Sequence, residues 1–273
     1  MTADPYAFAA GYYDLFRARP DSWPPVGFFA DLAPVGGQAL EIGPGTGRIT
    51  LAVAERAAGV HCLERSATMR AVLLAKLAAR PDLRDRITIL DGAAPDFDLA
   101  RKFDYVYFAG VLEHIPPQAR PALFRTVAAH LAPDGVLAMD MVLDLPVADE
   151  PERPRSTAQV GECRYELSVE TRPRGLDLAT LRHVYRTYHQ NRLVATETME
   201  RDHHYHRRAA VLRDLATAGL VAIGGSVQHA PADQSNPNNP GTLVAQLAPV
   251  SAGGTASGSA TLDPAASGAG IQR

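Results

Sequence analysis

A glycine-rich bend, set between a short apolar run and a helical pattern, constrains this chain more than any other feature. Ala39-Leu40-Glu41-Ile42 reads as a strand, Gly43-Pro44-Gly45-Thr46-Gly47 as a tight turn, and Arg48 to Ala58 as a helix. A strand that runs through glycines into a helix N-terminus lets bare main chain approach a ligand at the carboxyl edge of a sheet. The rhythm then repeats. Val60-His61-Cys62-Leu63-Glu64 is a second buried strand, and Ser66 caps a helix through Met69, Leu73 and Leu77 to Arg80. Arg86 to Leu90, Phe103 to Phe108 and Val136 to Asp140 supply strands three to five, with a further helix over about 118–131. Strands that alternate with helices at this spacing need crossover connections, which implies a parallel sheet covered on both faces.

The flanks differ. Tyr6, Ala9, Tyr13 and Phe16 recur at helical spacing, Pro20, Pro24 and Pro25 interrupt, and Phe28, Phe29 and Leu32 form a second short apolar face. Residues 1–36 are thus expected as a helical N-terminal lid. After Leu145 three strand-like segments follow without helices, Cys163 to Thr171, Leu181 to Tyr188 and Leu193 to His204, which predicts an antiparallel insertion over 155–206. Arg207 to Ala218 returns to helix and Gly219 ends it. Leu220 to Val227 and Thr242 to Leu247 read as two last strands joined by a loop rich in Asn and Pro. The main domain spans 37–249, and the Ala-, Gly-, Ser- and Thr-rich segment 250–273 is expected to be a disordered tail.

Composition narrows the function. Hydrophobic residues make up 46% and charged residues 21%, enough for one cored α/β domain with an elaboration. A net charge of −3 supplies no basic stripe for phosphate backbones, so nucleic acid is not an expected partner. Cys62 falls in a strand and Cys163 lies far from it, with no metal-ligand spacing. The opening MTADPYAFAAGYYDLF carries acids where a signal peptide carries bases, and no apolar run has the length of a membrane span. A cytoplasmic protein with no membrane contact is expected, and a homodimer is compatible with it.

The turn is not a dinucleotide fingerprint, because the sixth position of G-x-G-x-x-G is Arg48. With Glu41 two residues before the first glycine and the spacing G-x-G-x-G, it resembles the first motif of class I S-adenosylmethionine-dependent methyltransferases of the small-molecule type. Four later segments match in order: Glu64 closing strand two, Asp91-Gly92-Ala93-Ala94 after strand three, Phe103 to Val106 with Gly110 to Pro116, and Leu131 to Leu137. The resemblance implies a Rossmann-like, doubly wound, seven-stranded and mostly parallel sheet, with the antiparallel insertion between strands five and six. It implies S-adenosylmethionine as cofactor, with Glu41, Gly43 and Gly45 at its methionine portion. Glu64 would accept both ribose hydroxyls, or stand as an exposed strand-end acid. Arg65, Met69, Gly92, Ala93 and Ala109 complete the expected lining. The family usually has Gly-Asp-Ala where this chain has Asp91-Gly92-Ala93, so either Asp91 or the backbone of Ala93 or Ala94 meets adenine. Tyr12 to Phe16 loosely resembles the opening of amino-sugar N-methyltransferases, which implies that Tyr13 touches the cofactor; the alternative is a core tyrosine.

Methyl transfer is an in-line displacement in which the sulfonium supplies the chemistry and the protein supplies aim, so a base matters only for a protonated nucleophile. His114, at the sheet's carboxyl edge, is the first candidate base; otherwise Glu113-His114 caps the loop or orients the cofactor. In Asp202-His203-His204-Tyr205-His206, residues 202, 204 and 206 share one face of a strand, and His203 and Tyr205 the other. That first face could bind a divalent ion or line a substrate pocket; the expectation is no metal, with His204 and His206 as candidate catalytic residues. The expected activity is methyl transfer to N or O of a small, natural-product-like acceptor. The alternatives are a protein that keeps the cofactor as a structural ligand, or one that uses it for cyclisation.

Overall fold

In a computed structural model, residues 4, 6–17, 24–142, 148–224 and 240–248 are described. Strands β1 (Gln38–Ile42), β2 (Gly59–Leu63), β3 (Ile87–Leu90), β4 (Phe103–Phe108) and β5 (Leu131–Val142) lie parallel in the order β5-β4-β1-β2-β3. Two late strands, β10 (Leu220–Gly224) and β11 (Pro240–Leu247), extend the β5 edge, β11 running antiparallel to both neighbours. The result is the expected seven-stranded, mostly parallel sheet. Chain order reverses between β1 and β4, so a crevice opens beyond their carboxyl ends, where open α/β sheets bind ligands.

Helices cover both faces. On one side α2 (Val26–Asp31), α3 (Arg48–Ala54), α4 (Ala67–Ala78) and the short α5 (Pro81–Arg84) pack Phe29, Val53, Leu73 and Leu83 against Val60, Cys62 and Tyr105. On the other, α6 (Arg120–His130) and α7 (Arg208–Thr217) set Leu123, Phe124, Val127, Val211 and Leu215 against Leu40, Val106, Phe108 and Leu137. Each such buried side chain stabilises the fold by about 1.5–3 kcal/mol, before entropy is counted. Ser66 caps α4 as expected, its hydroxyl accepting the Met69 N–H. The helix after the glycine turn stops at Ala54 rather than Ala58. The following backbone turns aside to donate the Ala58 and Gly59 N–H groups to the Gly37 carbonyl, feeding β2.

A second, four-stranded antiparallel sheet stands on this base: β6 (Glu150–Val160), β7 (Cys163–Pro173), β8 (Leu178–His189) and β9 (Arg192–His204). It holds four strands where three were expected, and it begins at Glu150 rather than 155. The additional strand is β6, an edge strand, where Pro151, Pro154 and a run of charges leave a ladder intact because one side of it needs no donors. Helix α1 (Ala10–Arg17) lies against this sheet: Tyr12 stacks on Tyr185 at 5.0 Å between ring centroids, and Phe8 meets Tyr185 edge-on at 5.7 Å. Cys62 is buried and Cys163 half-buried, both free. No helix among the described residues is long and apolar enough to cross a membrane. The tail over 250–273, the Asn- and Pro-rich loop, the end of the sixth core strand at 225–227, and Pro20 in the lid lie outside the described residues.

Candidate active site

The glycine turn sits in the crevice, and its three glycines divide the work. A Cβ on Gly43 would come within 2.6 Å of Val111 Cγ2, and one on Gly47 would collide with Leu73, so these two let the turn pack against its own protein. Gly45 differs. Its backbone is left-handed (φ +58°), yet a Cβ there would meet no protein atom within 4 Å. Bare backbone beside open space is the shape expected of a cradle for a ligand.

Glu64 closes one wall of that cradle. Its two carboxylate oxygens accept the Gly45 N–H (3.0 Å) and the Ser66 N–H (2.8 Å). Burial pushes its carboxyl above the usual range, while these two N–H groups, Arg70 and Arg65 pull it back. Each oxygen keeps a lone pair, so two adjacent hydroxyls still find paired acceptors. Glu64 is 6% exposed, so it is not the surface acid of the alternative reading. Glu41 lies deeper, beneath the turn, where Oε2 accepts hydrogen bonds from Thr50 (2.5 Å) and Tyr107 (2.9 Å); burial pushes its carboxyl up to about 7. These partners make Glu41 a brace between β1, α3 and β4.

After strand three, Asp91 is turned to solvent and ion-pairs with Arg70 at 2.9 Å. The same Arg70 Nη1 donates to the Glu64 carbonyl at 2.6 Å, so it fastens the end of β2 to the loop after β3. Gly92 packs so closely on Leu63 that a Cβ would collide, and Ala93 is half-buried beside it. Met69 is buried under the crevice, Ala109 is half-buried at the end of β4, and Arg65 is exposed at its rim.

Helix α1 crosses above. Asp14 on α1 accepts the Thr46 hydroxyl at 2.8 Å and pairs with Lys76 at 2.7 Å, while Asp4 accepts from the Ser66 and Thr68 hydroxyls. Tyr12 bonds Glu197 of β9, and Tyr13 on the next helical position lies under Arg17. One helix is therefore tied to both the glycine turn and the second sheet.

The loop after β4 carries the other candidates. Gly110 donates its N–H to Asp140 at 2.8 Å, and a single 3-10 turn, Leu112–His114, follows. His206 pins this turn: Nε2 donates to the Leu112 carbonyl (2.8 Å) and Nδ1 accepts from Arg120 (2.7 Å), which in turn pairs with Asp214 at 2.6 Å. Both ring nitrogens are committed, and burial holds its pKa down at about 4. His206 is thus spent on fixing the loop, beyond the end of β9. The face of residues 202, 204 and 206 does not converge. Asp202 turns outward to Thr180 and Arg174, and His204 stays half-buried on the same side as Asp202.

The opposite face of β9 points inward. The pairing of Leu181 with Arg201, His183 with Met199 and Ala179 with His203 sets His183, Tyr185, Arg201 and His203 on one surface. His203 meets His114 edge-on, 5.2 Å between ring centroids. Three polar atoms here are buried without a hydrogen-bond partner, Arg201 Nε, His183 Nδ1 and His203 Nε2. Burial and the Arg201 charge push His114 and His183 down to about 3, and hold His203 well below its ordinary value. Neutral imidazoles therefore line the chamber at pH 7. Ligand-type atoms of Glu113, His114 and His203 gather within 4.8 Å of one another, but beside a guanidinium whose charge opposes a metal cation. Sequence reading missed Glu113, His183, Arg201 and Tyr6 as a group. The signal was the two-residue turn Gln190-Asn191, both at positive φ, which pairs β8 with β9; a bulge near Thr187 then shifts the register in a way no local pattern announces.

Residues 40–137 match a family model described as a methyltransferase domain. Among solved structures, an S-adenosylmethionine-dependent methyltransferase from Clostridium acetobutylicum superposes with a TM-score of 0.69 at 15% identity, covering 89% of this chain and 98% of that one. The CcbJ methyltransferase from Streptomyces caelestis gives 0.69 at 18% identity over 90% and 98%. CalS10, a SAM-bound amino pentose methyltransferase from Micromonospora echinaspora involved in calicheamicin biosynthesis, gives 0.64 at 17% over 81% and 87%. No curated protein sequence matches. Residues 40–137 thus match a methyltransferase domain model, and the chain as a whole shares the fold of the S-adenosylmethionine-dependent methyltransferases on which it superposes.

Proposed function

We propose that this protein transfers a methyl group from S-adenosylmethionine to a small-molecule acceptor seated between the loop after β4 and the inner face of β8 and β9. The observation that carries the reading is the open space at Gly45, bounded by the Glu64 carboxylate at the carboxyl edge of the sheet. Backbone at Gly43 and Gly45 would hold the methionine portion, Glu64 the ribose, and the main chain of 92–94 the adenine, since Asp91 is committed to Arg70. Tyr13, on the lid between them and solvent, would close over the sulfonium end. When bound, the cofactor supplies an activated methyl group on positively charged sulfur.

The protein's own contribution is position and dryness. Helix α1, latched at Thr46 and at Glu197, excludes water from the crevice. The Asp214–Arg120–His206 chain fixes Leu112, and with it the aim of Glu113 and His114. A His114 held near 3 is too weak a base to remove a proton from a hydroxyl, but its neutral ring can accept a hydrogen bond from one. This favours nitrogen over oxygen as the acceptor atom, because a neutral amine attacks through its lone pair and sheds its proton afterwards. CalS10, which is an amino pentose methyltransferase, supports a small amine acceptor. The test is to incubate the protein with methyl-labelled cofactor and matched panels of amine and phenol metabolites. Label in an amine with release of S-adenosylhomocysteine supports the reading. Cofactor binding without label in any acceptor would favour a structural or cyclising role instead.

A further inference from the structure

Arg201 is half-buried on the inner face of β9 with its Nε fully buried, and its bonding is incomplete. Nη1 donates to the Tyr6 hydroxyl at 2.8 Å, and the guanidinium carbon stands 5.4 Å from the centre of that ring. Nε is buried with no acceptor, and among the described residues Nη2 makes no hydrogen bond and no carboxylate pairs with the group. Its electrostatic neighbours are Tyr6, Tyr13, Tyr185 and Glu113, which come from the lid, the second sheet and the β4 loop rather than from the glycine turn. The surrounding imidazoles of His114, His183 and His203 are neutral and offer it no counter-charge. Its tyrosine and Glu113 neighbours support its charge, but the buried Nε still lacks an acceptor, and an unmet buried donor is costly until one arrives. The free edge, Nε with Nη2, is the planar fork that takes the two oxygens of a carboxylate in parallel hydrogen bonds.

We infer that Arg201 is the carboxylate-recognition residue of the acceptor subsite, so that the molecule methylated here is an amine that also bears a carboxylic acid. This rests on the methyltransferase reading above and adds the substrate class to it. The acid would lie along β9 against Arg201, with Tyr6 holding the guanidinium plane from the other edge. His114, next to His203 and therefore beside the same strand, would face the remainder of the acceptor.

Benzoate is the probe and benzamide its uncharged match, each titrated by calorimetry into the full chain with and without saturating S-adenosylhomocysteine. Saturable benzoate binding with no benzamide binding is expected for the wild type. Arg201→Gln should abolish it, and Arg201→Lys, which keeps charge but not the fork, should weaken it about tenfold or more. Both variants should keep wild-type affinity for S-adenosylhomocysteine. Equal binding of benzoate and benzamide, or none of either, overturns the inference on the wild type alone, whatever the variants do. A variant that loses affinity for S-adenosylhomocysteine but not for benzoate also overturns it, by assigning Arg201 to the cofactor's own carboxylate. Should S-adenosylhomocysteine itself fail to bind the wild type, the functional reading falls, while the titration without it still decides whether Arg201 receives a carboxylate.

Discussion

Glu41 and His114 show how far burial shifts the proton affinity of residues that a motif marks as functional. Glu41 keeps its proton in the fold up to about 7, against 4.5 for an ordinary glutamate. Between those values the folded state holds a proton the unfolded chain has released, so this group's contribution is whole below about 4.5 and gone above about 7. Glu41→Gln cannot ionise and should flatten that slope. Urea unfolding at pH ~5 and ~8 should show the variant gaining on the wild type at the higher value; equal slopes in both proteins would mean that Glu41 is ionised throughout. For His114 the relevant magnitude is catalytic. A working general base contributes about a hundredfold to ten-thousandfold, whereas His114→Asn should cost less than about tenfold in kcat and leave no limb near pH 6.5 in the rate profile. A hundredfold loss would restore His114 as the base. The motif marked both positions, but the groups that set their properties, the Tyr107 hydroxyl on Glu41 and the Arg201 charge beside His114, lie far away in sequence.

Elements carry the division between what could be read and what could not. Strand β4 lies where periodicity put it, at Phe103–Phe108, and the Ser66 cap forms, because both depend on local pattern alone. Strand β6 was hidden by its prolines and charges, which only an edge position tolerates, and β5 begins at Leu131 instead of Val136 because Leu131 already pairs with Phe103 before the Pro133-Asp134-Gly135 stretch bulges out of the ladder. The inward face of β8 and β9 depended on a bulge, so Arg201 and His183 were beyond any argument from spacing. The lid was legible as a helix but not as a latch. Tyr12→Ala removes the stack on Tyr185 and the bond to Glu197. Hydrogen exchange should then quicken along Ala10–Arg17 while β1 and β4 remain protected, and the KM for the cofactor should rise. Unchanged exchange in α1 would show that Asp14 alone holds it to Thr46 and Lys76.

At the scale of the whole molecule, one sheet presents the glycine turn at its switch point and a second sheet stands opposite, with α1 bridging the two. That architecture was legible from the order of strands and the glycine turn; the polar surface facing the turn was not, because it is assembled from two strands and a loop. The account depends first on the cradle being a nucleoside site. Calorimetric titration of S-adenosylhomocysteine into the wild type and Gly45→Val tests this directly, with circular dichroism confirming that the variant is folded. At position 45 a valine costs about 1–2 kcal/mol of left-handed strain but strikes no protein atom, so the fold should survive. One-to-one binding to the wild type and none to the folded variant is predicted; no binding to the wild type, or equal affinity in both, would contradict the account.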